Sequence, residues 1–387
     1  MMNKIVIVGA GHGGVQAATS LREMGFEGTI QLIAEEAHLP YQKPPLSKGF
    51  LNGKQTEENL VFRHANYYAE QKIDLVLGEK IRELDPQSQQ LTAVSGRVFS
   101  YDKLIIATGA RNRTLPSEVA PNAFYLRDLT DAQRLRPALD AVDTVAVVGG
   151  GFIGLEVAAC ASEAGKKVTV LEVQDRLMAR VLPPVLSDIF LKKHQEMGVE
   201  VILQARVSRE VLSEYDLVVV GIGVMPNQEL AESAGITCHN GIVVNEYQQT
   251  SQPNVYAIGD CASHFNRFAG KQCRLESVQN AVDQAKIAAS HICQKPLAYD
   301  SVPWFWTNQF DLKLQMAGIN SDYDSYAFRG DLGANKFSIF YFNREKLVAV
   351  DSLNRPADHL AARKLIQAGS TPTKEQVEDI NVKLGAI

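Results

Sequence analysis

Ile5-Val6-Ile7-Val8-Gly9-Ala10-Gly11-His12-Gly13-Gly14 decides how the chain is read. Four consecutive apolar residues, all β-branched, spell a strand buried on both faces. The glycines that follow have the spacing G-x-G-x-x-G. Val15, Ala18 and Leu21 then recur at helical spacing, Gly25 suits the stop, and a second strand, Thr29 to Ala34, ends at Glu35. This is a complete strand–helix–strand unit. Its glycines provide a tight turn, close backbone approach to a pyrophosphate, and close packing of helix on strand. The helix start offers unpaired N–H groups and the positive end of a dipole, so Gly9, Gly11, His12, Gly13 and Gly14 form a candidate anion cradle. Glu35 is placed to accept from a ribose hydroxyl.

The same grammar returns at Val145-Ala146-Val147-Val148-Gly149-Gly150-Gly151-Phe152-Ile153-Gly154. Ile153, Val157, Ala158 and Ala161 share one helix face, and the second strand, Val168 to Leu171, ends at Glu172. One glycine-rich turn is weak evidence, because such turns also serve packing. Two complete units, each with an acid about 20 residues on, predict two dinucleotide sites in an α/β chain. A carboxylate binds a free 2′-hydroxyl and repels a 2′-phosphate, which favours NADH over NADPH at a nicotinamide site. Arg176 and Arg180 follow Glu172 closely, and an arginine there could serve a 2′-phosphate.

At 387 residues the chain is too long for one average domain. A net charge of -5 and no run of five or more like charges argue against nucleic acid as a partner. No apolar stretch reaches the roughly 20 residues of a membrane span, and the first strand begins almost at once, so a cytoplasmic location is expected. Five cysteines, an odd number without C-x-x-C, imply neither a disulfide framework nor a zinc site. The eight histidines show no metal-ligand spacing, and G-x-S-x-G is absent, so no metal site and no acyl transfer are expected.

Further motifs carry a family resemblance over nearly the whole chain. They are Leu39-Pro40-Tyr41-Gln42-Lys43-Pro44-Pro45-Leu46-Ser47-Lys48, Ala107-Thr108-Gly109-Ala110, Gly149 to Glu156, Gly221-Ile222-Gly223, Ile258-Gly259-Asp260-Cys261-Ala262, Glu276 to Asn280 and Pro303-Trp304-Phe305-Trp306. With them the chain resembles the FAD-dependent ferredoxin reductases of bacterial oxygenase systems, which have the glutathione-reductase-like fold. The resemblance implies FAD at the first glycine motif, with contacts from Gly11, Gly14, Glu35, Lys43, Lys48, Ile81, Ala107, Thr108, Gly109, Arg127, Asp260, Val278 and Trp306. Lys43 stands where many relatives have arginine, so a planar, two-pronged contact is replaced by a point charge. It implies NADH at the second motif, with Gly149, Gly151, Ile153, Gly154, Glu156, Glu172, Arg180 and Gly223. Lys48 and Glu156 are similar to a pair that meets at the flavin N5, where hydride arrives, and are the candidate catalytic residues.

The implied order is an FAD-binding domain (1–108 and 245–302), an inserted NAD-binding domain (109–244) and a C-terminal α+β interface domain (303–387). In the last, Phe337 to Phe342 and Leu347 to Val350 read as strands joined by a polar turn. A helix follows from Pro356 to Gly369, its apolar face drawn through Ala357, Leu360, Ala361, Leu365 and Ala368. Between Gln204 and Asp216 only a short linker joins two strands, where relatives carry a longer excursion. Disulfide reductases of this fold place redox cysteines just after the first unit, whereas the first cysteine here is Cys160, read as a small buried apolar residue. Electrons are therefore expected to leave the flavin directly, one at a time, to a small acidic two-iron ferredoxin that serves an oxygenase. A basic patch should receive it, with Lys43, Lys54, Arg63, Arg274 and Arg329 as candidates. Two alternatives stay open: reduction of a small acceptor (quinone, radical, oxygen) or a rubredoxin, and redox signalling as in apoptosis-inducing-factor-like flavoproteins.

Overall fold

Ile5, Val6 and Ile7 are wholly buried, as a strand with apolar side chains on both faces requires. In the computed structural model, which describes residues 3–387, strand Lys4–Val8 is the centre of a five-stranded parallel sheet. The spatial order is Val255–Ala257, Lys103–Ile106, Lys4–Val8, Thr29–Ile33, Ile73–Val76. Helices His12–Glu23 and Val278–Ile292 pack against each other and close one face through Ala17, Leu21, Ala285 and Ala288. The second glycine motif builds a four-stranded parallel sheet in the order Glu200–Ile202, Lys167–Leu171, Thr144–Val148, Leu217–Val220. Both sheets have the expected α/β character, with the glycine turn at the carboxyl end of the central strand.

The chain enters and leaves the second sheet through a ribbon in which Ala110–Asn112 pairs antiparallel with Val224–Pro226. Beyond the ribbon, Ala231, Ile236, Ile242 and Val244 share a core with Val8, Leu104 and Val255 of the first sheet. Residues 229–244, expected in the nicotinamide unit, thus pack with the first unit. Their apolar side chains find cover there, just past Gly221, Gly223 and Pro226 and the return ribbon. The linker 204–216 carries a short helix, Arg209–Leu212, capped by the Ser208 side chain.

The C-terminal unit is a five-stranded antiparallel sheet in the order Trp304–Gln309, Leu312–Gly318, Lys346–Leu353, Lys336–Asn343, Ser325–Asp331. Helix Pro356–Ala368 covers it and ends at Gly369, whose φ of 69° is the left-handed conformation a glycine cap adopts. The buried face of this helix is Asp358, His359, Ala362, Leu365 and Ile366, while Leu360 is 57% exposed. The expected face is therefore rotated by about one residue, because Asp358 turns inward to meet Arg329 and Ser338. Arg329 is no docking residue. It is buried, pairs with Asp358, and donates to the carbonyls of Val377, Asp379, Ile380 and Val382, clasping the last turns of the chain. Arg274 is likewise withdrawn: its side chain is largely buried, paired with Glu276 and donating to the Asp260 carbonyl.

Burial holds several imidazoles below their ordinary pKa. Burial lowers the pKa of His264 and His359 to about 4, and that of His12, with the Asp260 charge opposing, also to about 4. Neither ring nitrogen of His359 has a partner among the described residues. An imidazole with its folded pKa below the unfolded value near 6.5 takes up its proton mainly on unfolding. The stability it contributes is complete above pH 6.5 and is lost as pH falls from 6.5 towards 4. Urea unfolding followed at pH 7.5 and pH 5 is expected to show a lower midpoint at pH 5. His359→Phe should flatten that dependence, and an unchanged slope would show that His359 is solvated.

Candidate active site

Each glycine turn divides its labour in a way that a side chain would expose. A Cβ on Gly9 would lie 2.2 Å from the Ala107 carbonyl oxygen, and one on Gly14 would lie 1.8 Å from the Gly9 oxygen. On Gly11 it would meet nothing within 4 Å. In the second turn Gly149 and Gly154 are closed, at 2.5 Å from the Gly221 oxygen and 2.2 Å from the Gly149 oxygen, while a Cβ on Gly151 finds only the Gly221 oxygen at 3.9 Å. The outer glycines let strand, helix and neighbouring loop touch. The middle glycine of each motif leaves a cradle above a helix start that has neither a side-chain cap nor an acid in its first turn. Both cradles fit the pyrophosphate of a dinucleotide.

Pro44 and Pro45 fix the backbone of a 3-10 turn, Pro44–Ser47, which buries Leu46 and Ser47 and delivers Lys48. The Lys48 ammonium lies 2.5 Å from Glu156 Oε2, with its side chain 25% exposed against 5% for Glu156. Ser47 Oγ donates to the same oxygen at 2.5 Å, and Thr307 Oγ1 donates to Oε1 at 2.7 Å. Three units meet at this carboxylate: Ser47 and Lys48 from the first, Glu156 from helix Phe152–Glu163 of the second, Thr307 from the C-terminal sheet. One apolar cluster surrounds the junction, drawing Leu46 and Phe50, Leu155 and Val157, and Leu312 and Ile339 together. Cys160, one turn further along the helix, has its thiol against the Ser47 and Lys48 carbonyls, and burial pushes its pKa up to about 12. It is the inert packing residue the sequence implied.

Lys48 also borders a 480 Å³ cleft with His12, Phe62, Val278 and Trp306. His12 meets Phe62 edge-on at 4.8 Å, and Trp306 meets Trp304 at 5.4 Å. Behind His12, Arg127 pairs with Asp260 at 2.7 Å and donates to the Ala110 carbonyl. Thr108 and Asn227 exchange side-chain to backbone hydrogen bonds, each 2.8 Å, where the chain passes between units. Glu35 and Ile81 stand apart from the cleft, Glu35 at the end of strand Thr29–Ile33 in an exposed pair with Lys80. Lys43 is engaged by Glu36 at 3.1 Å, which lessens its worth as a docking charge. On the nicotinamide side, Glu172 is buried and accepts from the amides of Gly150 and Gln174. Arg180 extends over Gly223, its Nη2 3.8 Å from where a Cβ would sit. Arg176 is tied to the Leu182 and Ala179 carbonyls and to Ser187.

Sequence reasoning missed Ser47, Thr307 and Tyr41. The Tyr41 hydroxyl donates to Glu36 and accepts from the Leu129 amide, and burial with the Glu36 charge raises its pKa. Ser47 and Tyr41 lie inside the quoted stretch 39–48, and Thr307 directly follows Trp306; short polar residues beside buried apolar ones were the available signal.

Residues 3–285 match the family described as pyridine nucleotide-disulphide oxidoreductase, and residues 304–387 match the domain described as reductase C-terminal. The chain belongs to this oxidoreductase family. It is 42% identical to the 5,5'-dehydrodivanillate O-demethylase ferredoxin reductase subunit of Sphingobium sp. (strain NBRC 103272 / SYK-6), covering 98% of this chain and 97% of that one. It is 43% identical to rhodocoxin reductase of Rhodococcus erythropolis, covering 98% and 93%. Its fold matches the putidaredoxin reductase chain in a covalent complex with putidaredoxin at a TM-score of 0.93 and 37% identity, covering 99% and 97%. The resemblance drawn from the motifs therefore holds: the chain is a flavoprotein oxidoreductase of the ferredoxin reductase kind, with FAD and a nicotinamide nucleotide as its cofactors. No helix among the described residues is long and apolar enough to cross a membrane.

The glycine geometry separates binding from folding. Gly11→Ala is expected to give a folded protein that purifies largely without flavin, whereas Gly14→Ala should lower the yield of folded protein itself. Flavin absorbance per chain, read beside circular dichroism, checks both; full flavin occupancy in Gly11→Ala would contradict the cradle.

Proposed function

We propose that this chain transfers electrons from NADH through FAD to a small two-iron ferredoxin that supplies an oxygenase. The observation that carries the proposal is the Lys48–Glu156 pair at the junction of three units, its carboxylate buried and its lysine bordering the cleft that also holds Trp306. Bound there, FAD supplies acceptance of two electrons as hydride and their release one at a time. The chain's own residues bind and position. Gly11 and the helix His12–Glu23 hold a pyrophosphate, with Arg127 and Asp260 alongside. Gly151 and the helix Phe152–Glu163 do the same for the nicotinamide nucleotide. Lys48 presents a positive charge where negative charge accumulates on reduction, and Glu156 aims it.

NADH rather than NADPH is supported by Glu172 at the end of strand Lys167–Leu171, since its carboxylate repels a 2′-phosphate. The guanidinium of Arg176, the nearer of the two arginines, is already occupied by the loop around it. Direct delivery to an iron–sulfur partner is supported by the cysteines: among the described residues the thiol beside Lys48 is that of Cys160, packed against two carbonyls with its pKa raised by burial. All five cysteines are free. Lys54 and Arg63 are exposed and adjoin Gln55 and Phe62 of the cleft wall, and they suit an acidic partner. A nicotinamide donor and reduced thiols fit a cytoplasmic setting.

Anaerobic stopped-flow mixing tests the whole reaction. NADH should bleach the yellow protein at least tenfold faster than NADPH, and a two-iron ferredoxin should reoxidise it rapidly. Reduction without transfer to any ferredoxin would refute the partner. Lys48→Met is expected to slow bleaching about 100-fold, the scale for removing one electrostatic group from a reacting centre, with the protein still yellow.

A further inference from the structure

The carboxylate of Glu156 is the end of a longer chain. Thr307 Oγ1, which donates to it, accepts from Gln309 Nε2 at 3.3 Å. Gln309 Oε1 in turn lies 2.9 Å from Nε2 of His194, in helix Pro184–Glu196 of the nicotinamide unit. All four side chains are buried, with His194 and Thr307 at 0% exposure. Burial lowers the His194 pKa, against the Gln309 hydrogen bond that raises it, and so favours the neutral ring. The direction of the chain then follows. Glu156 can only accept, so the Thr307 proton points to it; the Thr307 oxygen must be met by the Gln309 amide; and Gln309 Oε1 must be met by His194 Nε2–H. The reverse amide orientation would set two oxygens against each other with the Thr307 proton already given to Glu156, or take that proton from the carboxylate. The Gln309 amide nitrogen also lies 4.0 Å from Met178 Sδ, which agrees with a donor on that side.

We propose that Thr307 and Gln309 are positioning residues. With His194 they form a one-way chain of donors that holds the Glu156 carboxylate in place, and through it the Lys48 ammonium. The inference rests on the reductase activity proposed above. Chains of this kind polarise one another, so the last bond, on the carboxylate, is strengthened by those behind it. The geometry also divides the carboxylate. Oε2 is given to Ser47 and Lys48, and Oε1 is given to Thr307. Without Thr307, Oε1 is free to turn towards Lys48 and draw the ammonium away from the cleft. A role confined to stitching the C-terminal sheet onto the nicotinamide unit would change stability and leave the charge at the cleft untouched.

The test uses the flavin-loaded protein in four forms: wild type, Thr307→Val, Thr307→Ser and Gln309→Met. Midpoint potential by dye-coupled titration, limiting rate of flavin reduction by NADH, and thermal unfolding are read on each. Thr307→Val should shift the potential to more negative values and lower the limiting rate about tenfold, the scale of one lost charge-assisted hydrogen bond. Thr307→Ser, which keeps the hydroxyl, should restore both to within about twofold. Gln309→Met should move both in the same direction by less, and it carries the test alone if Thr307→Val does not fold. Wild-type potential and limiting rate in the folded Val and Met forms, whatever their melting temperature, would overturn the inference while leaving the reductase activity standing. A wild-type protein that NADH does not reduce would overturn the activity and this inference together.

Discussion

A buried carboxylate has to be answered, and the architecture of this protein turns on how Glu156 is answered. Removing one partner from a buried ion pair costs roughly 3–5 kcal/mol, because the charge left behind cannot reach water. Glu156 meets that constraint with a lysine and a serine from one unit and a threonine from another. Separating the first two units would strand the Glu156 charge, and displacing the C-terminal sheet would leave its Oε1 without a donor. The apolar cluster around the junction supplies the burial, and the polar groups at its centre select which arrangement of the units is allowed.

The same arrangement explains where chemistry can happen. Lys48 is held from below by a buried carboxylate and remains partly open towards the cleft. Its position is set by the Pro44–Ser47 turn, so the stiff Pro-Pro pair fixes an electrostatic group and not merely a loop. The two dinucleotide cradles lie at the carboxyl ends of two separate sheets, and Glu156, one turn into the second helix, links the nicotinamide unit to Lys48. The inert state of Cys160 is part of this design. Its thiol is packed against two carbonyls and burial pushes its pKa up to about 12, which disfavours the thiolate that disulfide exchange needs.

The C-terminal unit contributes more than a cap. Its first strand brings Trp306 to the cleft and Thr307 to Glu156 on successive residues, which point to opposite sides of the strand. Its far edge is held by Arg329, whose guanidinium is saturated by Asp358 and four carbonyls of the tail. The unit thus has one end given to the active site and the other to its own closure.

Short-range pattern determined a great deal. Both glycine turns, both central strands, the helix stop at Gly25 and the cap at Gly369 were legible because each depends on residues adjacent in the chain. The pairing of Lys48 with Glu156 came from motif resemblance, and only the folded chain brought the two to 2.5 Å. What pattern misjudged has one physical cause: the fate of a polar side chain depends on partners distant in sequence. Arg329 reads as a surface cation until Asp358 and the tail enclose it, and Leu360 reads as core until Asp358 claims the inward face of its helix. Residues 229–244 carry no mark of the sheet they join, because that choice was made by contacts with Val8 and Val255. Sequence by itself determined two dinucleotide turns and the chemistry they imply. Tertiary structure alone decided which hydroxyls and charges meet at Glu156, since those groups lie up to 151 residues from it in the chain and find it only across the junction of three units.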